Sequence, residues 1–259
     1  MIVDTFMFYN ELDVLEWRLR TLDPYVDLFV LVESEVTHVG TPKELVFEKN
    51  KDRYAEWLPK LRHVVAKDMP IDDPNPWSRE KHQRHCVLEG LEGVPENATV
   101  MISDVDEIPD MVKLGRPEKT TTCHMHMYEY SFDYMFLGEP WFGTVITDLK
   151  SFKKLGPNFF RDNRWRFPAV PYAGWHLSSF GDAEHVFRKL KTYAHAKDPG
   201  RHAHQTIEDV QQMLTEGVHH SGGRLVRTPD GTSRPPGSTV GIFMPPNKCT
   251  SGHRRFQAR

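Results

Sequence analysis

The chain has 259 residues, and its 33 Lys and Arg against 36 Asp and Glu give a formal net charge of −3 with histidine neutral. A charge so close to zero excludes a protein that coats nucleic acid through a general basic field. The longest apolar stretch, around residues 28–32, is far shorter than the roughly 20 residues of a membrane helix, and the N-terminus lacks a signal-peptide pattern. The three widely spaced cysteines fit no disulfide framework and indicate a reducing compartment. We therefore expect a cytoplasmic protein without a membrane span.

The first third of the chain is predicted to form a strand, a helix and a second strand. Residues 4–9 are aromatic and short, and leucines at 12, 15, 19 and 22 line one face of a helix that Asn10 would cap and Asp23-Pro24 would end. Residues 26–32 are almost continuously apolar, which suits a strand buried on both faces. This order predicts an α/β fold with a mainly parallel central sheet flanked by helices.

Further elements follow in the same alternating order. We predict a strand at 62–66, a helix that Asn75-Pro76 begins and Gly93 closes, and a buried strand at 98–102. Residues 123–130 alternate, with His124 and His126 on the polar face of a half-buried strand. Helices are predicted at 182–196 and 206–216. We predict one domain over 1–220 and a Gly- and Pro-rich tail or lid over 221–259.

The strongest chemical signal is an acidic run directly after the buried strand at 98–102. Asp104, Asp106 and Glu107 lie within four residues, and ligands of open α/β sheets bind at the carboxyl ends of strands. Crowded carboxylates need a cation or hydrogen-bond donors, and hard oxygen ligands suit Mg²⁺ or Mn²⁺ bridging a diphosphate. A solvated acidic turn is the structural alternative.

Two other functions are compatible with these residues. In a metal-dependent phosphatase or phosphotransferase, Asp104 would be the nucleophile and Asp106 its acid/base partner. Such enzymes usually carry the motif at the first strand, and here it follows three earlier elements. A catalytically silent glycan-binding module would need the aromatic residues and no metal.

Several blocks together resemble glycosyltransferase family 17, and the resemblance extends from about residue 4 to residue 216. Any one block is weak, but six in the same order are specific; they lie at residues 4–13, 32–43, 77–84, 103–109, 141–144 and 173–178. The first strand begins within the first residues, without the anchor and stem of the animal pattern. We therefore expect a soluble bacterial or viral type.

The resemblance implies a GT-A type fold, a nucleotide-sugar donor and a divalent cation held by the Asp-x-Asp motif. The expected reaction is inverting transfer of a sugar to a hydroxyl of a glycan acceptor, with N-acetylglucosamine from UDP-GlcNAc as the best candidate. The partners are then the nucleotide sugar and the glycan, and not a nucleic acid.

The expected metal ligands are Asp106, Asp104 and His176. Asp106 would bind directly, and Asp104 would contact the donor ribose or reach the metal through water. His176 follows Gly174, where the backbone can approach closely, and late histidines often ligate the metal in GT-A enzymes; His195 is the alternative. A satisfied, partly buried histidine is the structural alternative for either.

The remaining expected site residues concern the donor, the acceptor and the general base. Arg79 and Arg84 could each bind a diphosphate or form salt bridges, and their spacing of five on a helix separates them around the axis. Glu33 could bind the ribose or base or cap a turn, and Lys43 could neutralise phosphate.

Trp141 and Trp175 could stack on acceptor sugars or anchor the core. Inversion needs a base, for which we name Glu107 first, then Asp148 and Asp162.

Overall fold

The computed structural model describes residues 1–138, 141–197, 206–221, 223–229 and 231–236. Its strands are β1 Ile2–Met7, β2 Leu28–Ser34, β3 Leu61–Ala66, β4 Thr99–Asp104, β5 Glu107–Pro109, β6 Thr121–Glu129, β7 Tyr134–Met135, β8 Trp141–Asp148, β9 Ala169–Val170, β10 Gly174–Ser178 and β11 Val226–Arg227. Its α-helices are α1 Leu12–Leu22, α2 Val46–Asn50, α3 Pro76–His85, α4 Met111–Leu114, α5 Leu149–Leu155, α6 Pro157–Asp162, α7 Ala183–Thr192 and α8 Ile207–Glu216. Short 3-10 helices connect several of these elements.

The strands form one sheet in the order β11-β7-β6-β8-β4-β1-β2-β3. Strands β3, β2, β1 and β4 are parallel, and β8 runs antiparallel between β4 and β6. The carboxyl ends of β1, β4 and β6 therefore share one edge of the sheet. β10 pairs in parallel with β6 and antiparallel with the short β5. The α/β prediction with parallel strands at its centre is confirmed, and the antiparallel strands occupy the half that follows β4.

Helices cover both faces of this sheet, which explains the apolar run of β2. Phe29 and Leu31 pack into a core with α1, whereas Val30 and Val32 point to the opposite core with the segment around Val87. Both faces are thus buried, as predicted for a strand without polar alternation. A third cluster packs α7 and α8 near the end of β6. No helix among the described residues is long and apolar enough to span a membrane.

Three predicted helix boundaries are wrong. Helix α1 is preceded by Glu11 rather than capped by Asn10, because the Glu11 carboxylate accepts hydrogen bonds from the Tyr9 and Asn10 N–H groups. Helix α3 starts at the Asn75 cap as predicted but ends at His85, and a 3-10 helix, Cys86–Leu91, continues the chain toward Gly93. This segment packs closely on β2, because a Cβ on Gly90 would meet Val30 at 2.2 Å. The helix predicted at 182–196 ends at Thr192, and a 3-10 helix, Ala194–Lys197, follows it.

Only part of the predicted tail, residues 221–259, lies within the described residues. Its segment 231–236 lies against the sheet, where the Ser233 carbonyl accepts hydrogen bonds from the Tyr128 hydroxyl at 2.7 Å and the Trp175 indole at 3.0 Å. Cys86 and Cys123 are buried free thiols, and Cys249 lies outside the described residues.

Candidate active site at the carboxyl end of β4

A buried arginine fixes the backbone of the acidic turn that follows β4. Arg18 of α1 binds Asp4 of β1 through two hydrogen bonds of 2.6 and 2.8 Å, and neither side chain is exposed. The same guanidinium donates to the backbone carbonyls of Asp104, Val105 and Glu107. The turn is therefore fixed by the N-terminal βα unit, at the point where the strand order reverses between β1 and β4.

Asp104 lies between two arginines from different helices. Arg84 of α3 donates to its Oδ1 at 3.1 Å, and Arg161 of α6 donates to its Oδ2. Burial favours the neutral carboxyl, but the two guanidinium groups outweigh it and lower the pKa of Asp104 to about 2. Arg84 also pairs with Glu80. Asp104 is thus a charged group that is already fixed by the protein.

Asp106 pairs with a lysine and not with the arginines that bind Asp104. Its Oδ2 accepts a hydrogen bond from Lys189 of α7 at 3.0 Å, and its Oδ1 lies 3.7 Å from His176 Nε2. Burial raises the pKa of this carboxyl, but Lys189 and His176 outweigh burial and hold the pKa well below its usual range. The structure therefore brings together two of the three expected metal ligands, Asp106 and His176, and directs Asp104 elsewhere.

His176 is buried between strands. It lies on β10 opposite Glu107 of β5, and the ring of Trp141 stacks on it with centroids 4.3 Å apart and planes 18° apart. Its Nδ1 is buried without a hydrogen-bond partner. One nitrogen thus faces Asp106 while the other is unsatisfied.

The three expected general bases lie at different places in the structure. Glu107 is completely buried, and its carboxylate accepts from Arg161, the Trp141 indole and the Asp104 N–H. Asp148 lies opposite Thr99 on the neighbouring strand, about 17 Å along β4 from Asp104, and caps α5 by accepting from the Ser151 N–H. Asp162 is half exposed and forms an ion pair with Lys81 at the surface. The role of a base stays a prediction for each, and the contacts of Glu107 hold the turn in position.

The expected donor residues Glu33 and Lys43 bind each other beside β2. Glu33 is completely buried and accepts from the Val46 and Phe47 N–H groups at the start of α2. Lys43 donates to Glu33 at 3.2 Å and to the Glu44 carbonyl. Burial lowers the pKa of Lys43 despite this pairing. The observed contacts of Glu33 are those of a helix cap.

Arg79 and Arg84 have no partner in common, as their helical spacing predicts. The Arg79 guanidinium is buried and donates to three backbone carbonyls, at His38, Pro70 and Asp73. It fixes the loops around residues 38 and 70–73, whereas Arg84 reaches the acidic turn.

The two expected acceptor tryptophans differ in exposure. Trp141 is partly exposed and lies between His176 and the Arg164 guanidinium, which sits 5.4 Å from its ring centroid. Trp175 is 4% exposed, belongs to the core and anchors Ser233. Trp141 therefore lies beside the acidic turn, whereas Trp175 is buried in the core.

The other histidines considered from sequence lie apart from the acidic turn. His195 packs edge-on against Trp77 with ring centroids 4.6 Å apart. His124 and His126 share one face of β6, as predicted, and both contact the ring of Tyr172.

Several site residues were missed from sequence. Arg18, Arg161 and Lys189 contact the acidic turn from 86, 57 and 83 residues away, and no local pattern signals the contacts of Arg161 and Lys189. A second group, Glu129, His219 and His220, brings one ligand atom from each residue within 4.8 Å of the others. The His-His dipeptide was visible in the sequence, but its buried glutamate was not.

The charges around the turn are balanced in the protein alone. Four cations face four carboxylates: Arg84, Arg161, Arg164 and Lys189 with Glu80, Asp104, Asp106 and Glu107. Among the described residues Arg164 makes no ion pair, and burial and Arg161 lower its pKa. The arrangement can receive an anionic group through Arg164, and Asp106 with His176 offers an oxygen and a nitrogen to a cation.

Comparison with known proteins identifies the class of this site. The sequence model of a glycosyltransferase family matches residues 1–221, which makes the protein a transferase and sets aside the phosphatase and glycan-binding alternatives. The chain belongs to glycosyltransferase family 17. No curated protein sequence matches it at a significant level.

Solved structures resemble the chain only distantly. The 2-C-methyl-D-erythritol 4-phosphate cytidylyltransferase of Francisella tularensis is 9% identical, with a TM-score of 0.38 over 67% of this chain and 91% of its own. The inositol-1-phosphate CTP transferase of T. maritima is 12% identical, with a TM-score of 0.35 over 68% and 84%. An active-site mutant of LgtC is 11% identical, with a TM-score of 0.35 over 81% and 82%. These TM-scores are too low to support a fold assignment, which therefore rests on the strand order given above.

Proposed function

We propose that this glycosyltransferase is a metal-dependent, inverting enzyme with a GT-A type donor site. It would move a sugar, with N-acetylglucosamine from UDP-GlcNAc as the first candidate, to a hydroxyl of a glycan. The observation that carries the proposal is the Asp104-Val105-Asp106 turn, which buried Arg18 holds at the strand-order reversal between β1 and β4. The sugar itself comes from the family resemblance in sequence.

The charge balance supports a role for a divalent cation. The protein's own cations and carboxylates around the turn already neutralise each other, so a bound nucleoside diphosphate adds negative charge without compensation. Asp106 and His176 would hold the cation, and their facing atoms are 3.7 Å apart. A divalent cation there supplies Lewis-acid stabilisation of the departing nucleotide. Mn²⁺ and Mg²⁺ both suit the Asp106 carboxylate.

The protein's residues divide the remaining work. Arg164 would bind a donor phosphate, because its guanidinium has no carboxylate partner among the described residues. Asp104, fixed by Arg84 and Arg161, would orient the donor ribose. Trp141, which packs between His176 and Arg164, would hold these two side chains in position. Glu107 would act as a positioning residue, and the acceptor proton would pass to another group.

The test is a donor screen with the purified full chain. We expect nucleoside diphosphate release from UDP-GlcNAc with Mn²⁺, stimulation by glycan acceptors and loss of release in EDTA. Asp106→Asn should lower kcat by about 100-fold or more, because it weakens the cation site, and circular dichroism checks that the variant remains folded. Lys113→Met, a surface change, is the matched control. Absence of release from every nucleotide sugar, together with no thermal shift by UDP and Mn²⁺, contradicts the proposal; release that persists in EDTA contradicts its metal dependence.

A further inference from the structure

Glu129 is a buried carboxylate that the donor site does not use. It ends β6, is completely inaccessible to solvent, and neither of its carboxylate oxygens accepts a hydrogen bond. An ionised carboxylate in such a place is strongly unfavourable unless a cation compensates it. The nearby Lys189 interacts with it electrostatically but donates its hydrogen bond to Asp106.

Two adjacent histidines face this carboxylate. His219 Nε2 lies 3.7 Å from one carboxylate oxygen, and His220 Nδ1 lies 3.5 Å from the other. Charge-assisted hydrogen bonds between such groups are about 2.7–2.9 Å long, so these pairs are too far apart for a shared proton. They are close to the roughly 3.3 Å separation of ligand atoms that bind one zinc ion tetrahedrally with bonds of about 2.0–2.1 Å.

The histidine segment is held in place by contacts outside the cluster. Gly217 ends α8 in the left-handed conformation, with φ of 65°, and a Cβ there would meet the Tyr134 ring at 2.5 Å. The Tyr130 hydroxyl donates to the Val218 carbonyl, and Val218 forms a β-bridge with Arg224. The two imidazoles are therefore directed at Glu129 by the surrounding fold.

We propose that Glu129, His219 and His220 form a second metal site, suited to zinc, that fastens the segment after α8 to the end of β6. Two imidazoles and one carboxylate are a donor set that favours Zn²⁺ over the Mg²⁺ or Mn²⁺ suited to carboxylate and phosphate oxygens. The ion would compensate the buried charge of Glu129. This site is distinct in its residues from Asp106 and His176, and it does not depend on the proposed function.

The experiment measures zinc binding without any substrate. The full chain is stripped with a chelator and desalted, ZnCl₂ alone is added, and bound metal is counted by mass spectrometry after gel filtration. We expect one tightly bound zinc per chain, a higher melting temperature with zinc, and a visible absorption band on Co²⁺ substitution. Glu129→Gln and His220→Asn should each weaken zinc binding at least tenfold, and circular dichroism checks that they remain folded.

Two control variants separate this site from other histidines and from the donor cation. His126→Asn, on the same strand but against Tyr172, should retain the zinc. Asp106→Asn should also retain it, whatever its effect on sugar transfer. Failure of the stripped protein to bind zinc, or equal binding by the wild type and the nearly isosteric Glu129→Gln, overturns the proposal.

Discussion

Three neighbouring carboxylates in the acidic turn avoid mutual repulsion because each has its own cationic or neutral donors. Asp104 pairs with Arg84 and Arg161, Asp106 pairs with Lys189, and Glu107 shares Arg161. Arg161 is the side chain that bridges two of them. The local charge is thus compensated before any ligand binds, although three like charges lie within four residues.

Replacement of Arg161 tests this compensation. We expect Arg161→Met to lower the free energy of unfolding by about 3 kcal/mol, mainly because it leaves the fully buried Glu107 carboxylate without a cation, whereas the one-third exposed Asp104 keeps Arg84. Arg166→Met, three residues after Asn163 and exposed, is the control and should change stability by less than about 0.5 kcal/mol. Urea unfolding followed by tryptophan fluorescence measures both; equal stability of the two variants would contradict the role of Arg161.

A second prediction concerns pH. Burial lowers the pKa of His38 to about 4, although its hydrogen bond with Gln83 opposes the shift. A histidine with a depressed pKa in the folded state binds protons in the unfolded chain first, so its stabilising effect is complete above about pH 6.5 and is lost as the pH falls toward 4. We expect this residue to contribute about 2 kcal/mol to that loss after allowance for its partial exposure.

The pH effect is measured by melting temperature from pH 4 to 8 in the wild type and His38→Asn. The wild type should lose more stability than the variant between pH 6.5 and 4. An identical pH profile of the two proteins would assign the loss to other groups.

At this scale the sequence predicts some contacts and not others. Asp106 and His176 were expected together from the motif and the family resemblance, and their facing atoms lie 3.7 Å apart. Arg161 and Lys189 could not be predicted, because an arginine or lysine on an amphipathic helix looks the same whether it faces solvent or a carboxylate 57 or 83 residues away. Glu33 was expected at the donor site, but a carboxylate near the end of a strand can equally well cap a helix. Its observed contacts are with the N–H groups at the start of α2.

At the scale of elements, β1 and α1 together hold the acidic turn in position. The Asp4 and Arg18 side chains join them, and Arg18 also binds the backbone of the turn after β4. The apolar periodicity of α1 predicts which face packs on the sheet, and Arg18 lies on that buried face. A charged residue on a buried helix face is the sequence signal that could have identified this pair.

A double-mutant cycle tests the pair. Asp4→Asn and Arg18→Met should each lower the free energy of unfolding by about 3–5 kcal/mol, because each leaves one buried charge unpaired. The double variant should lose less than the sum, with a coupling energy of about 1–3 kcal/mol. Urea unfolding of the four proteins gives the values, and strictly additive effects would show that the two side chains act independently.

Element boundaries were less predictable than element types. The strand-helix-strand beginning is confirmed. The start of α1 differs from the prediction because Glu11 folds back onto the preceding N–H groups, and α3 and α7 both change to 3-10 helix before their predicted ends. Short-range patterns do not distinguish an α-helical turn from a 3-10 turn at the end of a helix.

At the scale of the whole molecule, the tail segment 231–236 is joined to the middle of the sheet. One carbonyl, that of Ser233, accepts from Tyr128 on β6 and from Trp175 on β10. The Gly- and Pro-rich composition of this segment predicts a loop but not its docking site. Trp175, expected at the acceptor, has this anchoring contact instead.

Loss of these two donors should release the segment. We expect the double variant Tyr128→Phe and Trp175→Phe to be cleaved by a non-specific protease within residues 231–236 about tenfold faster than the wild type, because two hydrogen bonds of about 1 kcal/mol each are removed. Mass spectrometry locates the cut. Tyr134→Phe, which removes a weaker contact to the Thr215 carbonyl, is the control; an unchanged cleavage rate in the double variant would contradict the anchoring role.

Arg18, which supports the acidic turn, and Arg161, which pairs with Asp104, also set the order in which the turn gains its partners during synthesis. Arg18 leaves the ribosome early, whereas Arg161 follows the turn by more than fifty residues. A nascent chain released only as far as β5 contains Asp104 and Glu107 but not Arg161, which is the second guanidinium partner of Asp104 and the ion-pair partner of Glu107. At about 5–20 residues per second, several seconds therefore pass before α6 is synthesised and these charges are compensated. The speed of translation thus sets the earliest time at which the acidic turn can reach its final charge balance.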